Sequence, residues 1–181
     1  MTQQEQRTKW VFEPAHCKIG FSVTHFGITE TEGHFTRYDG TVAAESDDFS
    51  DATVTMHVDV SSVDTLDRQR DDHLRSADFF HAEKHPQMTF VSTGMRVVEK
   101  NRYKMAGDLT LLGITRPVEL DVQFMGIVLK DPFGNTKAGL KVTGAINRKD
   151  WGMTWNNIMD FGGLAVGETV RISCQIELLK Q

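Results

Sequence analysis

Val170-Arg171-Ile172-Ser173-Cys174-Gln175-Ile176-Glu177-Leu178 places an apolar side chain at every second position and a polar one between. A strand turns successive side chains to opposite faces, so this stretch is a β-strand with one dry and one wet face. The same period returns throughout the chain. Cys17, Ile19, Phe21, Val23 and His25 alternate with Lys18, Gly20, Ser22 and Thr24. Val54, Met56, Val58 and Val60 alternate with Thr55, His57 and Asp59, and Val118, Leu120, Val122 and Phe124 alternate with Glu119, Asp121 and Gln123. Weaker alternation runs through residues 34–44, 87–98, 102–112 and 137–148. The pattern predicts about eight strands, each buried on one side only, which is the habit of antiparallel sheets.

Turn signals separate the runs at Phe26-Gly27, Glu32-Gly33, Lys100-Asn101 and Leu112-Gly113. Asp131-Pro132-Phe133-Gly134-Asn135 has proline where a tight turn wants it and predicts a hairpin. So many one-sided strands have too much apolar face to leave open, and closing the sheet removes its exposed edges. Gly20, Gly107, Gly126 and Gly144 lie inside strand runs, where a barrel bends sharply. The expected fold is all-β: an extended eight-stranded antiparallel, lipocalin-like barrel. Its inside holds either its own side chains or one elongated ligand. One segment breaks the period. Asp64 or Thr65 can cap a helix from near Leu66 to about Ala77, with Leu66, Arg70, His73 and Ala77 on one stripe and Leu74 beside it.

The chain has 181 residues and a net charge of −5. The length fits one domain over 10–181, preceded by a polar, flexible tail over 1–9. The acidic balance argues against nucleic acid, which needs a basic footprint. No apolar run is long enough to span a bilayer as a helix, and the first residues lack the apolar core of a secretory signal. The reading is cytoplasmic, with a small molecule or another protein as partner.

Catalytic motifs are missing: there is no G-x-S-x-G, no phosphate-binding loop, no dinucleotide fingerprint and no H-E-x-x-H. The sequence is read as a non-enzyme with no catalytic residue. Cys17 and Cys174 fall on the dry phase of their strands, as buried thiols or, if the first and last strands meet, as a disulfide. His81 and His85 have the spacing that chelates a metal on a helix, with His73 nearby, although Pro86 opposes regular helix there. Arg70 and His73 share the helix stripe, as structural ties or as a clamp for a ligand head group. Asn147-Arg148-Lys149-Asp150 is open in the same way. Trp151, Met153, Trp155, Ile158, Met159 and Phe161 make the following loop unusually apolar, and Gly162-Gly163 ends it. Loops are normally polar. This one corks the barrel, forms a homodimer interface, or frames the mouth of a cavity.

The chain also resembles the YceI-like family of lipocalin-like, polyisoprenoid-binding proteins. The resemblance rests on Trp10-Val11-Phe12-Glu13-Pro14-Ala15-His16, on Phe21-Ser22-Val23 with His25-Phe26-Gly27, and on Gly33-His34-Phe35-Thr36-Arg37-Tyr38-Asp39-Gly40. It continues through Arg70-Asp71-Asp72-His73-Leu74-Arg75-Ser76-Ala77-Asp78-Phe79-Phe80, Gly107-Asp108-Leu109-Thr110 and Gly113-Ile114-Thr115-Arg116-Pro117. Asn147-Arg148-Lys149-Asp150-Trp151-Gly152 and Thr154-Trp155-Asn156 complete it. The resemblance implies an internal apolar tunnel holding an isoprenoid chain, and it brings no catalytic residue. His81, His85 and Cys17 depart from the family pattern.

These readings combine into a binder of a long apolar ligand: an isoprenoid quinone, a polyprenyl phosphate or a fatty-chain lipid. Phe21, Val23, His25, Met56, Val58, Phe90, Leu109, Phe124, Ile146 and Ile172 are expected to face that ligand from the strands. Arg70, His73 and Arg148 are expected at its polar end, and Trp155, Ile158, Met159 and Phe161 at the mouth. No cofactor or metal is expected. The alternatives are a metal-responsive protein using His73, His81 and His85, and a filled barrel acting as an interaction module.

Overall fold

A computed structural model describes residues 7–181. Three of its barrel staves are broken strands. β1 (Thr8–Phe12) and β2 (Lys18–His25) run in line along the last strand, interrupted by a 3-10 turn at Pro14–His16, where proline has no N–H to give the ladder. β3 (Thr29–Phe35) and β4 (Tyr38–Ala44) break at residues 36–37, and β5 (Thr53–Asp59) and β6 (Val63–Asp64) at a second 3-10 turn, Val60–Ser62. Ser62 stitches these two breaks together: its Oγ accepts from the N–H groups of Thr36 at 3.1 Å and Arg37 at 3.0 Å. Backbone donors released from the ladder are thereby satisfied.

Five staves are continuous: β7 (Gln87–Glu99), β8 (Arg102–Leu111), β9 (Ile114–Val128), β10 (Lys137–Asn147) and β11 (Val166–Lys180). Every neighbouring pair is antiparallel, and β11 pairs with both β1 and β2, which closes the ring. Eleven segments thus form an eight-stranded antiparallel barrel, as the alternation predicts. The first strand begins at Thr8, inside the stretch expected as a tail; residues 1–6 of that stretch lie outside the described residues. Gly126, at φ 130°, sits beside the bulge where β9 slips against β10. Gly107 makes room for Phe90, whose ring a Cβ there would meet at 2.3 Å.

The two ends of the barrel differ. At one end the loop over residues 45–52 folds inward and buries Phe49 against Trp10 and Phe124, with ring centroids 5.1 and 5.5 Å away. Asp51 fastens that loop, accepting from the N–H groups of Glu45 at 2.9 Å and Ser46 at 3.1 Å and from the Ser46 hydroxyl. The Tyr103 hydroxyl donates to the Asp48 carbonyl at 2.6 Å. Val42, Val122 and Leu140 fill this end, leaving a void of about 30 Å³. It is closed.

At the other end lie the β2–β3 turn, the segment 65–86 with α1 (Arg68–Arg75), and the apolar loop after β10. The helix is shorter than expected. Asp67 caps it, its carboxylate accepting from the Arg70 N–H at 2.9 Å, so neither Asp64 nor Thr65 is the cap. Leu66 lies outside the helix at φ 64° and is exposed, and Ala77 follows its end. Arg75 ties the helix to the barrel by donating to the carbonyls of Ser61 at 2.7 Å and Val63 at 3.1 Å.

Candidate functional site

Beneath the helix and the apolar loop the barrel is hollow. The cavity has a volume of about 620 Å³, within the range of small-molecule sites. Its wall is mainly apolar and includes Phe21, Val23, Met56, Phe90, Leu109, Ile146 and Ile172 from the strands, with His25 near the opening. Arg70, His73 and Arg148 reach it from the end loops, as do Trp155 and Met159.

Four expected residues are elsewhere. Val58 is in the inward phase but wholly buried in the packed core, and it does not front the cavity. Phe124 is also in phase, yet it lies toward the closed end against Phe49. Ile158 and Phe161 are 80% and 73% exposed and point away from the cavity. The apolar loop therefore divides its roles: Trp151 is buried in the core, Met153, Trp155 and Met159 line the wall, and Ile158 and Phe161 face outward. Trp151 donates from Nε1 to the Leu109 carbonyl at 3.1 Å, anchoring the loop to the barrel.

Other wall residues were not among those expected to face the ligand. Val54, Leu120, Val142 and Val170 occupy the same phase as those named, so the signal was present. Phe79 and Phe80 had no period to reveal them, because they sit in the irregular stretch after α1. Phe80 meets Phe35 edge-on at 5.5 Å, and Phe79 lies 5.4 Å from Trp155.

The polar groups at the open end are engaged with the protein itself. Arg148 is buried; it donates from Nε to the Gly167 carbonyl at 2.8 Å and from Nη1 to Met153 and Trp155 at 2.7 and 2.9 Å. Nη2 donates to the Val166 carbonyl at 3.3 Å. Burial lowers the guanidinium from its ordinary value, while the Glu168 carboxylate acts the other way. Arg70 donates from Nε to the Thr65 hydroxyl and from Nη2 to the Thr65 carbonyl, both at 2.8 Å. His73 Nε2 lies 2.8 Å from an Asp78 carboxylate oxygen, and its ring meets Trp155 edge-on at 4.6 Å. Of the two readings of these residues, the structural tie describes their bonds, and they still face the cavity.

Cys174 also fronts the cavity, and burial pushes its thiol up to about 11. Both cysteines are free thiols. His85 donates its N–H to the His81 carbonyl at 2.9 Å in a turn beyond the helix, and these two do not join His73 in a three-donor set. Among the described residues, such a set occurs at Glu13, His16 and Glu177, where Lys137 Nζ lies 2.7 Å from Glu13 and 2.9 Å from Glu177.

Two short turns stand side by side at the open end. One is the β2–β3 turn, where Phe26 and Gly27 take left-handed conformations. The other is residues 157–165, where Ile158 bridges Leu164 and Gly162, at φ 84°, donates to the Met159 carbonyl at 2.8 Å. The Phe26 N–H donates to the Ala165 carbonyl at 3.0 Å and binds the turns together.

The eight-stave barrel fold is shared with known proteins. Residues 10–178 match the YceI-like domain. The chain belongs to the YceI-like family. A UPF0312 protein of Staphylococcus aureus strain MSSA476 is 32% identical over 170 residues, covering 94% of this chain and 96% of the relative. The YceI protein of Campylobacter jejuni superposes with a TM-score of 0.73 at 26% identity, covering 87% of this YceI-like chain and 90% of the other. BcnA of Burkholderia cenocepacia gives 0.77 at 22% identity, with 92% and 98% covered. A polyisoprenoid binding domain from Saccharophagus degradans gives 0.71 at 12% identity, with 96% and 98% covered. These last two likenesses concern the fold of the YceI-like barrel.

Proposed function

We propose that this YceI-like barrel is a non-enzymatic carrier or store for one long apolar chain, an isoprenoid or fatty-chain lipid held in the cavity. The observation that carries the reading is the cavity itself: apolar walls, one closed end, and an open end formed by the β2–β3 turn, the segment 65–86 and the apolar loop. Membership of the family and the fold shared with a polyisoprenoid binding domain support it. Burying about 300 Å² of chain contributes roughly 7 kcal/mol before the cost of ordering it. Such a wall recognises length and girth more than chemical detail, so quinones, prenols and acyl chains share the site. Arg70, His73 and Arg148 shape the polar end and hold its loops, and the lipid is the ligand rather than a cofactor.

Native mass spectrometry of freshly purified protein, followed by organic extraction, tests this. The expected result is near one prenyl or acyl lipid per barrel. An apo mass unchanged by incubation with quinones and polyprenyl phosphates would overturn it.

A further inference from the structure

The rim of the mouth carries its own chemistry. Ile28 is 82% exposed on the β2–β3 turn, and Ile158 and Phe161 project from the adjacent turn over 157–165, with Phe26 and Leu164 less exposed. The hydrogen bond from Phe26 to Ala165 and the bridge from Ile158 to Leu164 make these one contiguous group. Exposed apolar side chains gathered at one place mark an interaction surface. Two nearby cations are paired: Lys149 lies 3.2 Å from Glu168, and Arg171 lies 2.9 Å from Glu30. Asp160 adds a negative charge beside Phe161, and the whole chain carries −5.

We infer that this rim docks on a lipid bilayer by inserting Ile28, Ile158 and Phe161 into the interface, so that the mouth opens onto the membrane. The inference rests on the lipid-binding reading above. Three observations select a bilayer over another occupant. The apolar residues stand at the open end of the barrel beside Phe26, which fronts the cavity, and its proposed cargo dissolves in a bilayer and not in water. They stand on the tips of two neighbouring turns joined by the Phe26–Ala165 hydrogen bond, a shape that penetrates a soft interface, whereas a second copy seated there would stop both mouths. The rim lacks the clustered basic residues that dock proteins on anionic lipid, so attachment follows apolar area and leaves neutral membranes preferred.

Flotation of lipid-stripped protein with phosphatidylcholine vesicles, with and without phosphatidylglycerol, tests the docking. Wild-type protein is expected to float with neutral vesicles, to float no better with anionic ones, and to be insensitive to salt. Ile28→Ser with Phe161→Ser, neither of which lines the cavity, should lower the bound fraction by about tenfold or more. Phe133→Ser, an exposed apolar residue at the closed end, should float like wild type. Wild type that stays unbound, a double variant that floats as well, or equal loss in Phe133→Ser would each overturn docking at the mouth. So would binding that needs anionic lipid and fades with salt. A dimer in solution that the double variant splits would make a second copy the occupant. Uptake of a prenol from detergent micelles is measured in parallel and should be equal in wild type and double variant. Loss of uptake in every protein would sink the cavity reading alone, leaving the flotation result to stand by itself.

Discussion

Arg148 illustrates how one side chain can organise a loop without ionic pairing: its guanidinium gathers four backbone carbonyls from residues 153–167. Without Arg148 those carbonyls lose a donor at the edge of an apolar cavity, although the Val166 carbonyl keeps the Asn156 Nδ2 amide at 2.7 Å. Arg148→Met should therefore lower stability by about 3 kcal/mol in urea unfolding, and Arg148→Lys should recover only a part, since one ammonium cannot span four acceptors. Phe21 and Phe124 make a second pair of tests. Phe21→Trp puts extra ring into the cavity and should weaken lipid binding at least about tenfold, roughly the effect of losing 1.4 kcal/mol, while Phe124→Trp should leave affinity unchanged. Equal loss in both variants, read by lipid titration with folding checked by circular dichroism, would mean that the cavity is wrongly placed. The sequence pointed to both phenylalanines because period two reports facing. It says nothing of depth along the barrel axis, and depth separates Phe21 in the hollow from Phe124 beside Phe49. Arg148 stood out by position, but its role was illegible, since its partners are backbone atoms brought near by the fold.

Among the elements, the loop over residues 45–52 decides that the barrel has an end. Burial alone would raise the Asp51 carboxyl, but donors from Ser46 and the backbone of Glu45 and Ser46 outweigh it and hold the value at about 2. A carboxylate depressed in the folded state contributes stability that is present above its ordinary value and is lost as pH falls through the folded one. Asp51→Asn is expected to cost about 1 kcal/mol at neutral pH, a figure reduced for the partial exposure of the side chain, and the gap to wild type should close near pH 2. Urea unfolding from neutral to acid pH would reveal this; a gap independent of pH would refute the assignment. This loop was missed in the sequence, where Ser46-Asp47-Asp48-Phe49-Ser50-Asp51 reads as polar surface with one stray aromatic. The strands were legible because each repeats its signal over many residues. The breaks at 36–37 and 60–62 were not, since they depend on Ser62 reaching across between staves. The apolar loop after β10 was conspicuous, but composition could not divide it into cork, wall and rim, because that division follows from which way each backbone bend turns.

At the scale of the molecule, the ring closure links the first and last strands, so the barrel exists only when residues from both ends of the chain have met. Contacts of such long sequence separation form late and fold slowly. The completed ring also fixes an asymmetry: Trp10, Phe49 and Phe124 seal one end, while the cavity opens at the other. A tube with a floor acts as a gauge. Under the proposed function, cargo would enter tail first, leave by reversing its path, and keep its head outermost throughout. Within a series of prenols differing by one isoprene, affinity should climb with each added repeat until the tail reaches the closed end, then level off as further repeats remain above the rim. The repeat at which the curve flattens would measure the depth of the bore, and substituting Phe12, which fronts both the cavity and the small void beyond it, by a smaller residue should move that point to longer chains.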